Sequence, residues 1–230
     1  MNAVSRRKIE MGARALEFSQ TRPDTEPAMA ATVARLEQLL ARAAETATVQ
    51  REGLVHVHAA AARKEELRRQ MRDVPIAHLA EVGRAAAREE HELGKTFTFR
   101  PGASTSFAFR TAARSMAASA ETHRELLLKY GLSQSVLDEF VQLLDQFDAA
   151  VTLGHEGKTA HVGATRDLGA VGKEIVRTVR VMDGRNRQRF AQHEQLLGSW
   201  IGASTVLGTR RRGVEPEGGK PAGGEVRPAA

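Results

Sequence analysis

Residues Leu153–Gly163, LGHEGKTAHVG, decide whether this chain is a set of long helices or a compact globule. Three glycines in so short a stretch read as a loop, because each glycine inside a helix costs about 1 kcal/mol relative to alanine. The flanking residues say otherwise. Leu137, Phe140, Leu144, Phe147 and Val151 define an apolar stripe before the stretch, and Leu168, Gly172, Ile175, Val179 and Met182 define one after it. Val151 and Leu168 lie 17 residues apart, a gap that alternating steps of three and four cover, as on one face of a bundle helix. A loop has no reason to preserve that phase. The pattern therefore predicts one helix from Gln134 to Asp183, with Gly154, Lys158, His161 and Thr165 forming a polar layer at inward positions.

Upstream, residues 28–72 contain no proline and a single glycine, Gly53. Apolar or small residues recur at Met29, Val33, Leu36, Leu40, Ala43, Ala47, Leu54, Val57 and Ala61, with a skipped slot at Gln50. This is a second long helix, which Pro75 is expected to end because proline cannot donate its amide and disfavours helix at the residue before it. A shorter helix from Pro75 to Glu90 turns Ile76, Leu79, Gly83 and Ala86 inward. Another carries Phe109, Ala113, Met116, Ala120, Leu127 and Tyr130, closed by Gly131. Residues 4–19 make a short amphipathic helix. After Met182, DGRNRQRF reads as a turn and polar connector, and HEQLLGSWIGAS as a short closing helix with the one tryptophan.

Between the middle helices lies KTFTFRPGASTSFAFR, Lys95–Arg110, with four of the eight phenylalanines. As a β-hairpin its arms are only about four residues long, marginal without something to pack on. As a connector it plugs the helical body, with Ser104, Thr105 or Ser106 capping the next helix. The connector explains more residues. The expected fold is all-α: an elongated antiparallel bundle of three to four long helices with coiled-coil-like seams, one domain over residues 1–207. The glycine, proline and charge of residues 208–230 predict a disordered tail.

Composition excludes more chemistry than it suggests. There is no cysteine, hence no disulfide and no thiolate nucleophile or metal ligand. No apolar run reaches membrane-spanning length, which predicts a cytoplasmic protein with no membrane partner. The eight histidines invite a metal, but no Glu-x-x-His pair occurs, and His56 and His58 stand about 200° apart on a helix. His123 falls on a seam, as a hydrogen-bonded core histidine does. GHEGKT ends like a phosphate loop, but Thr152 stands where that loop needs glycine and no strand precedes it. No nucleophile, base and orienting partner assemble, so neither an enzyme nor a cofactor is expected.

Charge is the remaining lead. Net charge is +6, unevenly placed. Residues 133–157 hold five acidic groups and no Lys or Arg; residues 158–190 hold eight basic and three acidic ones. That polarity suits the helix dipole and the antiparallel pairing of two copies. Lys173, Arg177 and Arg180 form a basic stripe, continued by Arg185, Arg187 and Arg189, of the kind that tracks phosphates. The expected function is a non-enzymatic helical scaffold or protein–protein association module, with a protein partner or a homodimer. The alternative is nucleic-acid binding through the stripe at 173–189. A third reading is a pocket enzyme or sensor around the polar layer at 158–165, with His161 as proton carrier.

Overall fold

A computed structural model describes residues 2–99 and 105–207. The expectations for the tail at 208–230 and for the turn at 101–104 fall outside the described residues. The elements are α1 (Ala3–Thr21), α2 (Pro27–Met71), a π-helical turn (Arg72–Ile76), α3 (Ala77–Ala86), α4 (Leu93–Thr96), α5 (Ser106–Thr122), α6 (Arg124–Lys129), α7 (Gln134–Arg189) and α8 (Glu194–Ser204). The fold is all-α, with no strand among the described residues. The described residues form two compact units, one of residue 2 and residues within 38–174, the other of residues 3–37 and 175–207.

Helix α7 runs unbroken through LGHEGKTAHVG, as the preserved phase predicts. In the first unit it is antiparallel to α2: Gln50 meets Thr165, Gly53 meets Gly157, Ala60 meets Gly154 and Arg63 meets Gln146, so rising numbers on one helix match falling numbers on the other. The glycines are there because the backbones touch. A Cβ on Gly53 would lie 2.7 Å from the Gly157 carbonyl oxygen and 2.8 Å from the His161 nitrogen; one on Gly157 would lie 2.8 Å from the Gly53 carbonyl oxygen. Any side chain at either position forces the helices apart.

The seam is a heptad seam, shifted from the expected one. On α2 the inward rows are Leu36, Ala43, Gln50, Val57 and Leu39, Thr46, Gly53, Ala60, with Leu67 and Met71 continuing them. The second row sits one residue before the expected Leu40, Ala47, Leu54 and Ala61. On α7 Gly157, Ala164 and Val171 likewise turn inward, leaving Lys158 exposed and Thr165 half-buried, beside the correctly placed Gly154, His161, Leu168, Gly172 and Ile175. Apolarity alone favours Leu54 over Gly53. Close packing favours Gly53, and Leu54 is left 42% exposed.

Where α3, α5 and α6 join the first unit, the core fills out with Leu67, Met71, Ile76, Leu79, Phe97, Phe109, Met116, Leu127, Phe140 and Phe147. The described part of the phenylalanine stretch, Phe107 apart, packs into this core. Phe97 and Phe109 are buried, and Phe97 lies on Gly83, where a Cβ would come within 2.7 Å of its ring. Phe99 meets Phe109 edge-on at 5.4 Å, and Phe109 meets Phe147 at 5.5 Å. Thr105 caps α5 by accepting from the Ala108 amide at 3.2 Å. Phe107 is 70% exposed, with the Arg110 guanidinium over its ring. Arg68 lies over the rings of Phe109 and Phe147 and bonds Glu65 at 2.5 Å, closing that core with a cation against aromatic faces.

Three boundaries differ from expectation. Pro75 does not stop the helix; the wide π turn of Arg72–Ile76 carries the chain past its missing donor into α3. The expected helix from Phe109 to Tyr130 breaks at His123, whose φ of −104° and ψ of 23° leave helical geometry. Helix α7 continues through the expected connector to Arg189, and the turn falls at Phe190–His193 instead. Gly131, at φ 97°, does end α6 in the left-handed region. In the second unit Phe18 packs on Phe190 and Trp200 at 5.7 and 5.4 Å, and the Trp200 indole donates to Asp183 at 2.8 Å.

Gly53→Ala must lower the melting temperature, by about 1–3 kcal/mol of strain, because the added carbon meets backbone. Gly163→Ala, where a Cβ meets nothing within 4 Å, must raise stability by about 0.5–1 kcal/mol. Thermal unfolding of the two variants checks both signs.

Candidate functional site

Of the residues expected in the polar layer, the structure brings His161 and Thr165 together, and with them Gln50. Gln50, only 5% exposed, donates through Nε2 to Thr165 Oγ1 at 2.6 Å. Thr165 donates in turn to the His161 carbonyl at 2.8 Å, and the His161 Nδ1–H donates to the Gln50 carbonyl at 3.0 Å. These bonds close a loop across the two helices. Lys158 is outside it and exposed, because Gly157 takes the inward place. Gln50, the skipped slot in the sequence pattern, is the central member. Its signal was there: a polar residue at an inward position opposite another polar residue.

The loop binds its members to one another. Thr165 Oγ1 directs its proton to a backbone carbonyl and is not poised as a nucleophile. A groove of about 510 Å³ opens beside it, lined by Ala47, Gln50, Arg51, Glu52, Leu54 and His161. Among the described residues no group of three or more His, Asp or Glu is placed to hold a metal ion. His123 is not in the core: it sits half-buried at the α5–α6 junction with Nδ1 3.4 Å from Glu90 Oε2.

The six basic stripe residues divide in two. Arg185 reaches Asp24 at 3.2 Å and Glu26 at 2.7 Å. Arg189 lies 3.8 Å from Asp24 and donates to the carbonyls of Arg22 and Pro23 at 3.1 and 2.9 Å. Arg187 pairs with Asp183 one turn back, at 2.8 Å. Arg185 and Arg189 tie down the α1–α2 turn within the second unit, whereas Arg187 bonds within α7. Lys173, in the first unit, and Arg177 and Arg180, in the second, are exposed and have no ion-pair partner among the described residues.

The acidic half of α7 is partly neutralised as well. Asp148 pairs with Arg114 at 2.5 Å and Arg110 at 3.6 Å, and Asp145 lies 3.4 Å from Arg114. The charge polarity of α7 thus serves the fold at both ends before any partner is considered.

These features define an α-helical bundle built on a close-packed antiparallel helix pair, with no helix among the described residues long and apolar enough to cross a membrane. No protein-family model, curated protein or solved structure matches the chain.

Two predictions test the site. Thr165→Val strands the buried Gln50 amide and must cost about 1–3 kcal/mol. Adding Gln50→Leu must recover part of that loss, so a double-mutant cycle by denaturant unfolding returns coupling of about 0.5 kcal/mol or more. The second concerns Asp24, 6% exposed at its side chain. The Glu26 amide first, then Arg185 and Arg189, hold its carboxyl below the ordinary value of 3.8. A lowered folded value means the contribution is present above that ordinary value and is lost as pH falls through the folded one. Asp24→Asn must therefore reduce stability at neutral pH and flatten the acid limb of the stability–pH curve.

Proposed function

We propose that the protein is a non-catalytic association module, a helical scaffold that binds a protein partner or a second copy of itself through the α2–α7 pair of the first unit. One observation carries this reading. Beside the seam, Val49, Leu54, Leu153 and Val162 remain exposed, at 46%, 42%, 39% and 41%. A helix pair with apolar residues at the seam and in a flanking row has the pattern of half a bundle, which is completed by further helices. The self-contained bonding of Gln50, His161 and Thr165 supports the same reading, since such a layer penalises wrong registers without performing chemistry.

Nucleic-acid binding is the second reading, favoured by Lys173, Arg177 and Arg180, which are exposed and without an ion-pair partner among the described residues. Arg185, Arg187 and Arg189 already have acidic partners, so the stripe available to phosphates is the shorter one.

Light scattering after size exclusion separates the readings when run beside fluorescence anisotropy on labelled DNA and RNA at low salt. The association reading predicts a mass above 25.0 kDa, or capture of a protein that survives nuclease treatment. It also predicts no salt-dependent nucleic-acid binding. Binding that weakens about tenfold in Arg177→Ala/Arg180→Ala, with a shallower salt slope, establishes the second reading instead.

A further inference from the structure

Where residues 44–58 of α2 lie against residues 153–168 of α7, the seam has two flanks of opposite net charge. The 3.5-residue repeat sets the rows, and two bonds fix which rows share a side. Gln50 with Thr165 marks one flank, Arg63 with Gln146 the other. The first flank holds Arg51, His58, His155 and Lys158 around the exposed Leu54 and Val162, with one acidic residue, Glu52, at the border of its groove. The second holds Glu45, Glu156 and Asp167 around the exposed Val49 and Leu153, with no Lys or Arg. Arg166 is exposed and lies on the outer surface, away from the seam. Arg51, Lys158, Glu45, Glu156 and Asp167 are all exposed, and none has an ion-pair partner among the described residues.

We propose that this section binds a second copy of the chain, with the acidic flank of one copy seated on the basic flank of the next. This rests on the association reading above and names its surface and its occupant. Each flank joins apolar side chains to a net charge, basic on one side (Arg51 and Lys158 against Glu52) and acidic on the other, and the matching sign is found on the opposite flank of the same molecule. Two like flanks repel, so a two-fold contact of a flank with itself is disfavoured and a head-to-tail contact is favoured. Such a contact leaves one flank of each sort open, so assemblies grow with concentration rather than stopping at two. Rising salt weakens them, because the pairs lie at an exposed rim.

Sedimentation equilibrium on the full chain tests this. Wild type is expected to gain mass with concentration, and to lose about tenfold in association constant between about 0.05 and about 0.5 M salt. Two sets of exposed substitutions make the test specific. Arg51→Glu/Lys158→Glu makes both flanks acidic, and Glu45→Lys/Glu156→Lys/Asp167→Lys makes both basic. Each variant alone is expected to remain at 25.0 kDa, and an equimolar mixture to associate. Circular dichroism confirms that each is folded; if one is not, the wild-type salt series decides alone, and insensitivity to salt overturns the proposal. Association undiminished in both variants overturns this surface while leaving the association reading standing. A wild type fixed at 25.0 kDa at every concentration overturns self-association through this surface; partner capture then still tests the broader reading.

Discussion

Two helical backbones touch where Gly53 faces Gly157, and much else in the first unit follows from that contact. With carbonyl oxygens and amides closer than a methyl group allows, the next positions along the rows of Gly53 and Gly157 must also be small. Thr46 and Ala60 on α2 and Ala150 and Ala164 on α7 meet the requirement. The cost of glycine inside a helix, about 1 kcal/mol each, is offset by the approach it permits. Close approach in turn brings Gln50 within reach of Thr165 and His161, so the polar layer depends on the glycines beside it.

The same constraint explains what could and could not be read from the sequence. Helix α7 was legible because phase is a property of spacing and survives three glycines. The rows at Leu36, Ala43 and Val57, and at Phe140, Leu168 and Ile175, were legible for the same reason. The second row on each helix was not, because hydrophobicity selects Leu54 and Val151 whereas contact distance selects Gly53 and Ala150. That one-residue shift moved Lys158 out of the polar layer and hid Gln50 within it. Pro75 misled differently: its missing amide ends an α-helix by local rules, but a π turn absorbs it when Ile76 and Leu79 have a core to enter. The run past Met182 was misread because Gly184 and the polar residues around it look like a connector. Asn186, 3% exposed, and Phe190 keep that segment packed.

The charge pattern shows how far composition can carry a functional argument. Counting along α7 finds acid first and base after, but the coordinates divide those charges by use. Arg114 with Asp145 and Asp148, and Arg185 and Arg189 with Asp24, close the two ends of the helix onto neighbouring segments. Exposed pairs of this kind contribute little individually, about 0–1 kcal/mol; the nearly buried Asp24 contributes through geometry, gathering a turn. What remains exposed is smaller and more specific: a basic flank, an acidic flank and the apolar side chains of Val49, Leu54, Leu153 and Val162 beside the seam.

Amide hydrogen exchange across residues 150–170 of α7 tests the central claim most directly. The account predicts slow exchange continuing without interruption from Val151 through Leu168, because one helix passes through the glycines and is held there against α2. Fast exchange confined to Gly154–Gly163, between protected flanks, would show a loop in place of the helix and contradict the account.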